Sequence, residues 1–175
     1  MHSHKWVSEP GAIYKFCARK DCKKRKKIVS VVRNRKSLQR KAEDLWRAIA
    51  YARDGRECAI KKSYPDLRLN HSTQLQVDHF FPRADKNLFF DPSNATVVCA
   101  ACNYLKSNGS RQSVQIQIAL QAIVSRREGE KKFYEMCDIN NTRPANLEWG
   151  REYYLEKVIK DLTDYLENIK GGNND

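Results

Sequence analysis

No stretch of this sequence approaches the ~18–20 consecutive apolar residues that a helical membrane span requires, so the pattern excludes that class. No apolar run follows the N-terminal residues, so no secretory signal is expected. There is no internal repeat and no low-complexity segment. Acidic residues are few beside basic ones: 21 Asp and Glu face 33 Lys and Arg, a net charge of +12. Such an excess implies an anionic partner, and phosphate backbones are the commonest. What remains is a 175-residue chain, 41% hydrophobic. That suits one domain, or a small core with helical extensions.

The six cysteines are Cys17, Cys22, Cys58, Cys99, Cys102 and Cys137. Without a secretory leader they belong in a reducing, intracellular setting. There a Cys-x-x-Cys pair binds metal or does redox work more often than it forms a disulfide. Residues 1–16 read as irregular, with a Pro10-Gly11 turn signal. Cys17 and Cys22 then run into Lys23, Lys24, Arg25, Lys26 and Lys27, a phosphate-contact candidate. No aromatics interleave this run, so it would grip backbone without stacking bases. The bland alternative is a solvated charged face.

From Lys36 to Arg53, apolar residues at steps of three and four (Leu38, Ala42, Leu45, Trp46, Ile49, Ala50) predict a helix, with Ser37 as N-cap and Gly55 as stop. Trp46 reads as a packing anchor. Residues 55–72 read as loop. Leu75 and Val77 alternate with Gln74, Gln76 and Asp78, the period of a short strand. Leu88-Phe89-Phe90 interrupts a polar loop and is expected to fold back onto the core. Ala95–Val98 is a second strand candidate. A helix is expected from Asn103 to about Asn108-Gly109, and others over 113–127 and 130–137. The clearest helix carries Leu155, Val158, Ile159, Leu162, Leu166 and Ile169 and ends at Gly171-Gly172. Cys137, among Phe133, Met136 and Ile139, reads as a buried thiol.

The stretch from Val77 to Asn108 carries chemistry. Hydrolysing a phosphodiester needs a base for water, a cation on the phosphate and a hold on the backbone. His79, with an ordinary pKa near ~6.5, suits the base. Asp78 suits a hard divalent ion such as Mg²⁺ or Mn²⁺. Neighbours on a strand point to opposite faces, so the two share a site only if the strand bends or ends there. Phe80-Phe81-Pro82 fits that ending. The Asn103 amide oxygen is a neutral hard ligand. Asn94 is assigned to hydrogen-bonding the loop that orients His79, and Lys106 and Arg83 to phosphate. Asn108 is the alternative to Asn103.

The ordered set Asp78-His79, Asn94, Cys99-x-x-Cys102-Asn103-x-x-Lys106 resembles the HNH (ββα-metal) endonuclease motif, in the variant that ends in Asn. The separations, fifteen residues from His79 to Asn94 and nine on to Asn103, suit it. The flanks are similar to the NinG (Rap) recombination nucleases of lambdoid phages: a basic N-terminal region with Cys-x4-Cys, a Trp-containing helix ending Arg-Asp, and Lys-Ser after the motif. The resemblance implies an α+β fold, mostly helical, with a small ββα-metal core and flanking helices. The division is a basic extension over 1–35, helix plus nuclease core over 36–112, and a helical region over 113–175. It implies a metal-dependent endonuclease, phage- or prophage-encoded and cytoplasmic, acting on branched recombination DNA. His79 and Asn94 then serve catalysis, and Asp78 and Asn103 hold the divalent ion. Cutting both strands would favour a homodimer. The family pattern has a Cys-x-x-Cys before Asp-His and hence a four-cysteine zinc site. Here Cys58 stands alone, with Lys61 three residues on. A structural zinc on Cys58, Cys99 and Cys102 would take its fourth ligand from His71, Cys17 or Cys22. The competing readings are a restriction or homing nuclease, and a non-catalytic zinc-knuckle module that binds nucleic acid.

Overall fold

The computed structural model describes residues 34–84, 86–142 and 146–172 in full, and only the backbone of 29–33 and of three short strands. Those strands are β1 (Trp6–Val7), β2 (Tyr14–Cys17) and β3 (Arg25–Lys27), joined as an antiparallel sheet in that order. The N-terminal sixteen residues are therefore not irregular throughout. Trp6, Val7, Tyr14 and Phe16 are strand formers, but two to four residues are too few to declare a period. Lys23 and Lys24 lie outside the described residues, as does Cys22.

Helix α1 (Val29–Asp54) starts seven residues before Lys36, so Ser37 lies inside it and caps nothing. The run Arg33 to Lys41 is rich in straight-chain residues that favour helix, which carries it past the apolar period. It stops at Gly55, whose φ of 80° only glycine adopts freely and whose N–H bonds Tyr51 O at 3.1 Å. A short helix, α2 (Ala59–Ser63), breaks the expected loop. One turn carries no readable periodicity, and it is held by Ile60, which is fully buried.

Strand β4 (Leu75–His79) pairs antiparallel with β5 (Ala95–Cys99), from Leu75↔Cys99 to His79↔Ala95. Val77 and His79 of β4 are buried, while Gln76 and Asp78, on the other pleat, are half-buried. All of β5 is buried. A 3-10 turn at Pro92–Asn94 feeds β5, and α3 (Ala100–Lys106) follows at once. Then come α4 (Arg111–Glu128), α5 (Glu130–Thr142) and α6 (Glu152–Gly171). The result is mostly helical, α+β, around a small two-stranded sheet.

Three apolar clusters hold these elements. In the first, α1 and α6 close over the hairpin through Ala42, Trp46, Ile49, Leu155 and Leu162, with Phe89 and Phe90 folded in from the loop. The second joins α2, β5, α3 and α4 through Ile60, Val98, Ile116 and Leu120. The third is Leu88, Val124, Phe133 and Met136. Cys137 packs against the third cluster but is only half-buried, a correction to the buried thiol expected of it. No described helix is long and apolar enough to cross a membrane.

A candidate active site beside a metal centre

Four ligand atoms converge where α2, the loop before β4, the end of β5 and α3 meet. They belong to Cys58, His71, Cys99 and Cys102, and all lie within 4.8 Å of one another. Cys58 Sγ is 4.0 Å from Cys102 Sγ, and His71 Nδ1 is 3.6 and 3.4 Å from the sulfurs of Cys99 and Cys102. Bonds of ~2.3 Å to sulfur and ~2.0 Å to nitrogen at tetrahedral angles put ligand atoms roughly 3.5–3.8 Å apart. The spacing and the donor set therefore fit a closed site for zinc. Hydrogen bonding with Cys102 pulls the Cys58 thiol down to about 4, and the same contact with burial pushes Cys102 up. A cation relieves this crowding by taking thiolates as ligands. Among the described residues the fourth candidate ligand is His71, one of three alternatives open in the sequence; the side chains of Cys17 and Cys22 lie outside them. Lys61, where the second cysteine of the family pattern would stand, is exposed.

His79 sits at the end of β4, 5% exposed. Its ring stacks on Trp46, with centroids 4.1 Å apart and planes at 18°, and meets Phe89 at 4.9 Å. Nε2 lies 2.9 Å from Phe89 O. A carbonyl only accepts, so Nε2 carries the hydrogen and Nδ1 holds the bare lone pair. Nδ1 is buried without a hydrogen-bond partner. Burial pulls the His79 pKa below its ordinary value, against the Phe89 contact that raises it; Arg83 lowers it further, and Asp78 raises it. The ring is therefore neutral at pH 7.

Asp78 and Gln76 share the opposite pleat and face α3. Lys106 Nζ donates to Asp78 Oδ2 at 2.5 Å and to His79 O at 2.6 Å. Asn103, one turn earlier on α3, donates from Nδ2 to Gln76 Oε1 at 2.7 Å, and its Oδ1 has no partner among the described residues. Residues two apart on a strand and three apart on a helix are neighbours on their faces. Asp78 and Asn103 are thus brought to one β4–α3 seam. His79 lies on the other pleat, at the strand's end, with its ring packed on Trp46 and Phe89. Lys106 is taken up by Asp78 and is not a free cation here.

Asn94 is fully buried. Its Oδ1 accepts from Phe81 N–H at 2.7 Å, and its Nδ2 donates to Leu88 O at 3.0 Å. One side chain thereby ties both arms of the loop that carries Phe89 O to His79. The turn bearing Asn94 is braced from outside. Arg53 donates to Pro92 O and Ala95 O, and Arg127 to Ser93 O and Ala95 O, at 2.6–2.9 Å. Both guanidiniums pair with Asp54 (2.7 and 3.2 Å), and Arg127 pairs with Glu128 at 2.5 Å. All four side chains are only 14–17% exposed. Two cations and two anions close this box, so no charge in it is left uncompensated.

Sequence reasoning missed the Trp46 face on His79, the Gln76 partner of Asn103 and the four-charge brace. Only the Arg53-Asp54 ending was visible in one dimension. Arg83 is exposed. Arg25, Lys26 and Lys27 form β3. Asn108 is exposed and accepts from Ser110 N–H at 3.0 Å, a turn role. No family model matches the chain, and no curated protein or solved structure matches it.

Proposed function

We propose that the chain is a divalent-metal-dependent DNA endonuclease of the HNH (ββα-metal) kind, acting on branched recombination DNA. The observation that carries this reading is the state of His79. Its ring is buried, neutral and fixed through Nε2, and Nδ1 keeps an unpaired acceptor. Buried acceptors without partners are rare. A base waiting for a proton donor is a physical reason to keep one. The order of parts supports the same reading: Asp78-His79 closes the first strand, Asn94 ends the turn before the second, and Asn103 rides the helix that follows.

His79 Nδ1 takes the proton of the attacking water, and Trp46 and Phe89 O hold the ring in place for it. Asn94 is a positioning residue that latches the loop. Asp78 and Asn103 offer two hard oxygens on one seam and would hold Mg²⁺ or Mn²⁺, which supplies charge neutralisation at the phosphate when bound. Lys106 neutralises Asp78 and turns to phosphate when another cation takes its place. The Cys58, His71, Cys99, Cys102 zinc site fastens α3 to the hairpin and so sets the seam.

The test is cleavage of plasmid DNA with Mg²⁺ or Mn²⁺. His79→Ala should lower the rate by about 10²–10⁴, the usual worth of a general base, and still bind DNA. Cleavage at the parental rate by His79→Ala would remove the base. A four-way junction cut faster than the matching linear duplex supports the branched substrate; equal rates favour a restriction or homing-type role. Binding without cutting in either metal would leave the zinc-knuckle module.

A further inference from the structure

One cavity takes no part in this chemistry. It holds about 190 Å³ between the N-terminal half of α1 and the turn before α6, lined by Arg35, Lys36, Gln39, Trp149 and Gly150. That is many times what one water needs. Two cationic side chains, an amide side chain, an indole ring and a glycine line it, and no carboxylate does. Arg35 Nε donates to Gly150 O at 2.7 Å, which fixes the guanidinium against the turn. A side chain at Gly150, where φ is 77°, would stand 3.3 Å from Arg35 Nη2, so glycine lets the turn approach this closely. Lys36 is exposed, and no described acid pairs with it. Trp149 Nε1 is buried without an acceptor. Of the acids on the flanking elements, Glu43 pairs with Arg47, Glu152 accepts from the Asn34 amide, and Glu148 lies 3.7 Å from Arg151 with its Oε2 lacking a hydrogen-bond partner.

One wall of the cavity, Trp149, is also close to His79. The Trp149 ring meets Phe89 at 5.5 Å between centroids, and Phe89 meets His79 at 4.9 Å. Lys86 Nζ lies over the Trp149 ring at 4.4 Å. These two ring contacts keep Trp149 within roughly 10 Å of the imidazole, about three rises of ~3.4 Å along a duplex strand.

We propose that this cavity is a phosphate subsite, which grips the DNA backbone a few nucleotides from the scissile bond. Arg35 offers a fork matched to two phosphate oxygens and Lys36 a point charge, and the Trp149 indole forms one wall. The identity of the anion as DNA rests on the nuclease reading; the donor pocket itself does not.

The probes are inorganic phosphate and a short DNA duplex, added to parent protein without divalent ions, with the indole N–H proton resonances as readout. Trp149→Phe assigns the Trp149 signal. That signal should move with both probes, while the Trp46 N–H, bonded to Asp91 O at 3.0 Å, should hold still on phosphate addition. Arg35→Ala should bind duplex about tenfold more weakly, the worth of one hydrogen bond to a charged group. Lys36→Ala should weaken binding and reduce the slope of log affinity against log salt by about 0.9. A Trp149 signal indifferent to both probes, or parental binding by both Arg35→Ala and Lys36→Ala, overturns the subsite. A shift with phosphate alone overturns its role toward DNA. Because Lys36 is exposed, its variant keeps the test alive if Arg35→Ala does not fold. Cleavage is not read here, so cutting by His79→Ala would remove the base and leave this result standing.

Discussion

Replacing Asn94 by Asp tests the latch on the catalytic loop with a change of one atom and one proton. The new carboxylate would keep an oxygen for Phe81 N–H but set a second oxygen against Leu88 O, where Asn94 Nδ2 now donates across 3.0 Å. In a site with no exposure, two facing oxygens repel unless the carboxyl holds a proton and donates it. The folded pKa therefore rises above the unfolded value of ~3.9, by up to about 3–5 units at full burial. Between those two pKa values the native state binds more protons than the unfolded chain. The sign of linkage then makes stability fall as pH rises through that window. At ~1.4 kcal/mol per unit, the variant should lose about 4–6 kcal/mol relative to the parent between about pH 4 and pH 8. Asn94→Ala differs in kind. It strands Phe81 N–H and Leu88 O at about 1–3 kcal/mol each, independent of pH. Urea midpoints over a pH series, with unchanged slopes, measure both. Parallel pH profiles for Asn94→Asp and the parent would refute the latch and the amide orientation behind it.

Metal analysis of protein from chelator-free buffer should find about one zinc per chain. Cys99→Ser should lose it, and chelation should lower the parental melting temperature; metal-free parent protein that melts as before would end the zinc reading. Asp54→Ala leaves two buried guanidiniums with Glu128 as their remaining anion, and should cost about 3–5 kcal/mol by denaturant unfolding. Its effect should be non-additive with Arg127→Ala by roughly 0.5–3 kcal/mol, and simple additivity would deny the brace. His79 is held below its ordinary pKa by burial, so between that lowered value and ~6.5 the unfolded chain binds the extra proton. The parent should therefore lose stability on acidification through this window more steeply than His79→Gln. Indistinguishable acid profiles would show that the ring is not buried neutral.

The local part of this protein is written in one dimension. Periodic burial is a local property, so α6, the C-terminal two-thirds of α1, β4 and β5 can all be read from apolar spacing, and the Gly55 stop from its backbone freedom. The residue types at 78, 79, 94, 99, 102, 103 and 106 state what chemistry is on offer, because donors and acceptors travel with the side chain. What escaped were features with no period of their own: a one-turn α2, three very short strands, and an α1 start set by propensity and not by an apolar face.

The rest was decided by where folding puts distant residues. Nothing in the sequence singles out His71 as a partner for Cys58; the loop before β4 makes it one, by carrying it to sulfurs on β5 and α3. Trp46 is spaced like any packing residue, yet it becomes the face on which His79 lies. Arg53 and Arg127 stand 74 positions apart and still bind the same carbonyl, Ala95 O. A spacing pattern records which face a residue occupies on its own element. Which other element meets that face is settled only when the clusters pack, and the tautomer of His79, its lone pair and its lowered pKa all follow from that packing.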